Sequence, residues 1–179
     1  MTRGSIVGLV GLAACSFGSG EPEPVAGEPI TEIPALTNIY GCGDIAMYAA
    51  SADGTVRVRF AAEDLVAAAY AGTTSVSATL PDAAFDLALE QGRALDEGGC
   101  TDLVEYVNGQ PVVQVDLTWE VVSGSLALEI TPNAAEYQEC NADADAVLTL
   151  DQVVFEAPTG EQLTLEHLEM PANVGWCAG

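Results

Sequence analysis

From Tyr40 onward the chain alternates apolar and polar residues with period two, and no other feature constrains its fold as tightly. In "PVVQVDLTWEVV", Val113, Val115, Leu117, Trp119 and Val121 fall on one side, opposite Gln114, Asp116, Thr118 and Glu120. A strand turns successive side chains to opposite faces, so the pattern describes strands with one buried face. The same alternation runs through Val76, Ala78 and Leu80 in "TTSVSATL", and through Phe85, Leu87 and Leu89 in "AFDLALE". Three hairpins are expected. Asp53-Gly54 lies between the alternating runs of "DIAMYAASADGTVRVRF". Ser123-Gly124 separates "PVVQVDLTWEVV" from "SLALEITP", and Pro158-Thr159-Gly160 joins "AVLTLDQVVFE" to "QLTLEHLEM". In this last pair the apolar face shifts phase near Asp151-Gln152, the mark of a β-bulge.

Only "AAEDLVAAAYA" (61–71) reads as a helix. About eight or nine short strands at regular turn spacing, with at most one short helix, predict an all-β fold. The expected architecture is an antiparallel β-sandwich, immunoglobulin-like or jelly-roll-like. No long internal repeat is visible, which argues against a propeller or solenoid.

The charge balance excludes whole classes of partner. Against 27 Asp and Glu stand four Arg (3, 57, 59 and 93), one His and no Lys, a formal net charge of −23. Nothing here neutralises phosphates, so nucleic acid is excluded, as is docking on anionic lipid through a basic patch. Apolar residues still make up 49% of the chain, enough for a packed core. Self-repulsion works against the compact state unless salt screens it, and the Debye length shrinks from about 10 Å at 0.1 M to about 3 Å at 1 M.

The N-terminus has the shape of a secretory signal. Met1-Thr2-Arg3 is a short positive start, and the 11 residues from Gly4 to Ala14 are small or apolar. That run is too short to span a hydrocarbon core, which needs about 20 helical residues. Leu12-Ala13-Ala14-Cys15 then resembles the lipobox of bacterial lipoproteins. The resemblance implies a signal peptide over 1–14, cleavage before Cys15, and a diacylglyceryl group on its thiol. It implies attachment to a membrane through lipid. Ser16 after the cysteine implies release to the outer membrane of a Gram-negative envelope. An ordinary signal-peptidase site fits less well, because Leu12 occupies the upstream small-residue slot. Residues 15–38, with "GSGEPEPVAGEPITEIP", are expected to form a solvated Gly/Pro/Glu tether, leaving 39–179 as the β-sandwich domain.

Setting Cys15 aside leaves Cys42, Cys100, Cys140 and Cys177, an even number in an exported chain, which points to two disulfides. Zinc would need ligand spacings that are missing, since there is no CxxC and no second His. Three connectivities satisfy the count. "YGCGDIAMYA", "GGCTDL" and "VGWCAG" resemble stretches of uncharacterised predicted lipoproteins of myxobacteria. That resemblance favours Cys42–Cys100 with Cys140–Cys177, and implies no activity.

No catalytic constellation emerges. His167 is the only imidazole, no G-x-S-x-G elbow accompanies it, and the strand pattern pairs it on its own face with Glu169. No glycine-rich phosphate loop of the GxxxxGK[ST] type is present. The best candidate for a ligand site is "EYQECNADADAV". In an extended loop Asn141, Asp143 and Asp145 would turn oxygens toward one hard cation, making calcium the candidate cofactor. Ala146 and Gln152 stand where an EF-hand loop needs Gly and Glu, so the motif is not an EF-hand. The reading that covers these features is a membrane-anchored, non-enzymatic envelope lipoprotein with an envelope protein or glycan as partner. A calcium-dependent adhesion or carbohydrate-binding module comes second, and a surface hydrolase built on paired carboxylates third.

Overall fold

The structure is a computed structural model that describes residues 27–97, 99–100, 106–107, 110–138 and 141–176. Its strands are β1 (Leu36–Cys42), β2 (Ala46–Ser51), β3 (Val56–Ala61), β4 (Ser75–Leu80), β5 (Asp86–Arg93), β6 (Tyr106–Val107), β7 (Gln110–Pro111), β8 (Gln114–Pro132), β9 (Asn141–Glu156) and β10 (Gln162–Trp176). A single short helix, α1 (Leu65–Tyr70), lies between β3 and β4. Eight of the strands form one nearly closed antiparallel sheet in the order β1-β2-β3-β5-β8-β9-β10, with β4 on β8, while β6 and β7 pair separately. Trp119, Phe60, Phe155, Met47, Leu89, Leu128, Leu148 and Met170 fill its concave interior.

The expected hairpins at Asp53-Gly54 and Pro158-Thr159-Gly160 are present, as β2–β3 and β9–β10. The one at Ser123-Gly124 is not: β8 runs unbroken through it for 19 residues. Its two halves have different neighbours on one side, β5 along 114–120 and β4 along 124–129, while β9 lies on the other side along 120–132. A hairpin and an in-strand bulge leave the same trace in a sequence, a glycine and a change of parity. Here Trp119 faces inward at an odd position and Leu126, Leu128 and Ile130 at even ones. Gly124 absorbs the bend at φ 135°, where an added Cβ would sit 2.7 Å from the Val153 Cα.

The parity change recurs in the neighbouring strands at the same level. In β9 the buried set passes from Leu148 and Leu150 to Val153 and Phe155, across Gln152 at φ 50°. In β10 it passes from Leu163 and Leu165 to Leu168 and Met170. Ser125 pairs with Asp151 and Asp151 with His167, so the three shifts lie side by side. The long strands therefore bend together, which lets one sheet curl around one core.

The helix is shorter than the 61–71 expected. Six residues cannot hold a helix in isolation, so packing and capping must. Val66 and Ala69 enter the core, and the Asp44 carboxylate accepts the Val66 N–H at 3.0 Å and the Asp64 N–H. Contacts with the core also begin before residue 39. The Gln91 side chain accepts from the Ile30 N–H at 3.1 Å and donates to the Glu28 carbonyl at 2.7 Å, while Ile30, Ile33 and Leu36 pack on the core. Within the stretch expected as solvated tether, Ile30, Ile33 and Leu36 thus find apolar partners on the domain.

Candidate functional site

Seven strands lie in the path from β1 to β10, each antiparallel to the next. An odd count leaves the first and last strands pointing the same way, so they cannot meet as an antiparallel pair. They meet at one end only. There the Gly43 N–H donates to the Trp176 carbonyl at 2.8 Å, and the Gly175 N–H to the Gly43 carbonyl at 2.6 Å. Gly41 packs so closely on β10 that an added Cβ would lie 2.8 Å from the Ala172 side chain. The segment that leads into β1 stands off from β10. Between 31–36 and 162–168 lies a groove of about 590 Å³. Ile33, Leu36, Leu163, Leu165 and Leu168 contribute its apolar lining, and Glu32 and Glu166 its charge.

His167 also lines this groove. Its expected partner, Glu169, is not the one it takes: Nδ1 lies 2.6 Å from Asp151 Oδ1 on the paired strand. The parity shift at 166–167 turns His167 toward β9, and both side chains of the pair are more than half exposed.

The residues proposed for calcium lie on a strand and not in a loop. Asn141 opens β9 opposite Trp176. Asp143 and Asp145 are exposed on one face, and the Asn173 side-chain amide of β10 donates to both, at 2.5 Å and 3.5 Å. The Tyr70 hydroxyl donates to the Asp143 carbonyl at 2.7 Å, tying α1 to this edge. Among the described residues no group of three or more His, Cys, Asp or Glu side chains is placed to hold a metal ion. Cys42 and Cys100 form a disulfide with an S–S distance of 2.18 Å, whereas Cys15, Cys140 and Cys177 lie outside the described residues.

One buried cluster has no counterpart among the expected sites. Arg57 and Glu90, each 6% exposed, pair across β3 and β5 through Nε at 2.9 Å and Nη2 at 2.5 Å to Oε2. The other Glu90 oxygen accepts from Arg59 Nε at 2.9 Å, and Arg59 also holds Asp86. Hydrogen bonds to Asp86, then to Glu90, hold the Arg59 proton more tightly than usual, against the opposing effect of burial. Arg57 lies over the Tyr48 ring, 5.0 Å from its centroid, and Tyr48 stacks on Tyr40 at 5.1 Å. Burial raises the pKa of both tyrosines, with Arg57 pulling the other way. The segment after β5 closes the cluster. The Leu95 carbonyl accepts from Arg57 Nη1 and from the Tyr40 hydroxyl, each at 3.4 Å, and Cys100 is bonded to Cys42. In sequence, "VRVRF" and "LALE" show only that these charges share a polar face. That the face is covered depends on a segment that no alternation describes.

No family model, curated protein or solved structure matches this chain. Among the described residues no helix is long and apolar enough to cross a membrane.

Proposed function

We propose that the chain is a lipid-anchored lipoprotein of the cell envelope, carried on the outer membrane of a Gram-negative bacterium through Cys15, whose β domain binds another macromolecule without catalysing a reaction. The two halves of the bent sheet, facing each other across one core, serve as the sandwich of that binding module. The observation that carries the reading is the open groove between the segment 31–36 and the 162–168 stretch of β10, lined by apolar side chains and by Glu32 and Glu166. The lipobox-like Leu12-Ala13-Ala14-Cys15 supports the anchor. Membrane fractionation tests it: the wild-type protein should sediment with membranes and Cys15→Ser should be released. Full retention of Cys15→Ser refutes the anchor.

A second reading, a calcium-dependent adhesion or carbohydrate-binding module, draws on Asp143 and Asp145 sharing the Asn173 amide. Rotating that amide would turn an oxygen toward the same point, with further oxygens needed to reach the six to eight that calcium takes. Millimolar calcium should then raise the melting temperature, and the rise should vanish in an Asp143→Ala, Asp145→Ala variant. An unchanged melting curve sinks this reading.

A further inference from the structure

We infer that the free edge of β10 along 162–168 is a strand-addition site, which takes one extended, cationic segment of a partner protein into the groove facing 31–36. The inference rests on reading the domain as a binding module and names the chemistry of what it binds.

The first argument is topological. Seven antiparallel strands in succession leave two edges that point the same way. An added strand running opposite to β10 would form an antiparallel ladder along 162–168. Among the described residues β10 pairs only with β9 and β1 only with β2, apart from the bonds at Gly43. Along 162–168 β10 therefore turns alternate N–H and C=O groups of its free edge toward the groove. Such edges bind extended peptides through main-chain hydrogen bonds, with alternate side chains supplying specificity. The wall from Gln162 to Leu168 is seven residues, about 23 Å of strand, enough for a ladder of ordinary length.

The second argument is the pattern that the groove presents. Ile33, Leu36, Leu165 and Leu168 offer apolar contact, while Glu32 and Glu166 are exposed carboxylates at its walls. His167 is already engaged with Asp151. A strand that alternates apolar residues with Lys or Arg matches both features. This chain cannot supply one. It has no Lys, Arg3 stands alone in the apolar leader, Arg57 and Arg59 are held by carboxylates, Arg93 donates to Gln114, and the net charge of −23 opposes a second copy. Residues 21–24, Glu-Pro-Glu-Pro, combine like charge with missing N–H groups, so they make a poor ladder partner.

The test uses the full-length protein in nonionic detergent and three eight-residue synthetic peptides. One alternates valine with lysine, one valine with glutamate, and one is the lysine peptide with two central valines replaced by proline. The lysine peptide should bind about tenfold or more tighter than either control. It should slow amide hydrogen exchange along 162–168 and 31–36. Glu32→Lys combined with Glu166→Lys should reverse the preference between the lysine and glutamate peptides. Equal binding of the lysine and glutamate peptides, undiminished binding of the proline peptide, no binding at about millimolar concentration, or protection on another surface overturns the proposal. So does concentration-dependent self-association that protects the same amides without peptide. Fractionation of Cys15→Ser reports on the anchor independently, so either result can fail while the other stands.

Discussion

The two halves of the sheet carry their charge in opposite ways. On β3 and β5, Arg57, Arg59, Glu90 and Asp86 form a linked network, roofed by the segment that Cys100 fastens to Cys42. On β9 and β10, Asp143, Asp145, Asp151, Glu166 and Glu169 stand exposed, and His167 is the one basic side chain among the described residues there. Covered charge must be paired, since an unpartnered ion out of water costs several kcal/mol. Bare charge needs no partner and acts at a distance, as a field that repels like charge and is screened by salt. The first half therefore uses charge to hold strands together, and the second uses it to choose what approaches.

Removing one member of the covered network should break this contrast most severely. Glu90→Ala leaves Arg57 buried without its carboxylate and should cost about 3–5 kcal/mol in urea unfolding, whereas Arg57→Met with Glu90→Leu should cost far less. A loss under about 1 kcal/mol for Glu90→Ala would show the network to be no more than a surface pair. Opening the roof comes next. Cys42→Ser frees a loop with a sequence separation of 58 residues and should lower stability by about 2–4 kcal/mol in urea unfolding.

A smaller effect belongs to alkaline pH. Tyr40 and Tyr48 have folded pKa values raised by burial, so the stability they contribute is complete below about pH 10 and is lost as pH rises through the folded values. Phenolate absorbance should lag behind that of free tyrosine and jump on unfolding, and Tyr40→Phe should reduce the jump. The smallest effect should come from the bare half. His167→Ala breaks an exposed pair and should shift stability by less than about 1 kcal/mol. A larger loss there would erase the distinction between the halves.

Much of the fold was legible because alternation is a local property. The β2–β3 and β9–β10 hairpins and the bulge at Gln152 each follow from residues next to one another. The same locality explains the misreadings. Ser123-Gly124 looks like a hairpin because parity cannot tell a reversal from a bend, and only the neighbours β4 and β5 decide between them. Same-strand spacing pairs His167 with Glu169, while its actual partner, Asp151, is set by register across β9 and β10. The residues of the groove were legible singly but not as walls, since 31–36 and 162–168 are joined only when the sheet curls.

By itself the sequence determined that this chain makes strands, where most of them turn, and that its surface is acidic. These are consequences of side-chain periodicity, backbone turn preferences and composition, which act over a few residues. Tertiary structure alone decided which charges are covered and where the sheet stays open. Coverage depends on a distant segment folding over a face. The groove arises because 31–36, which leads into β1, comes to face 162–168 only when the sheet curls.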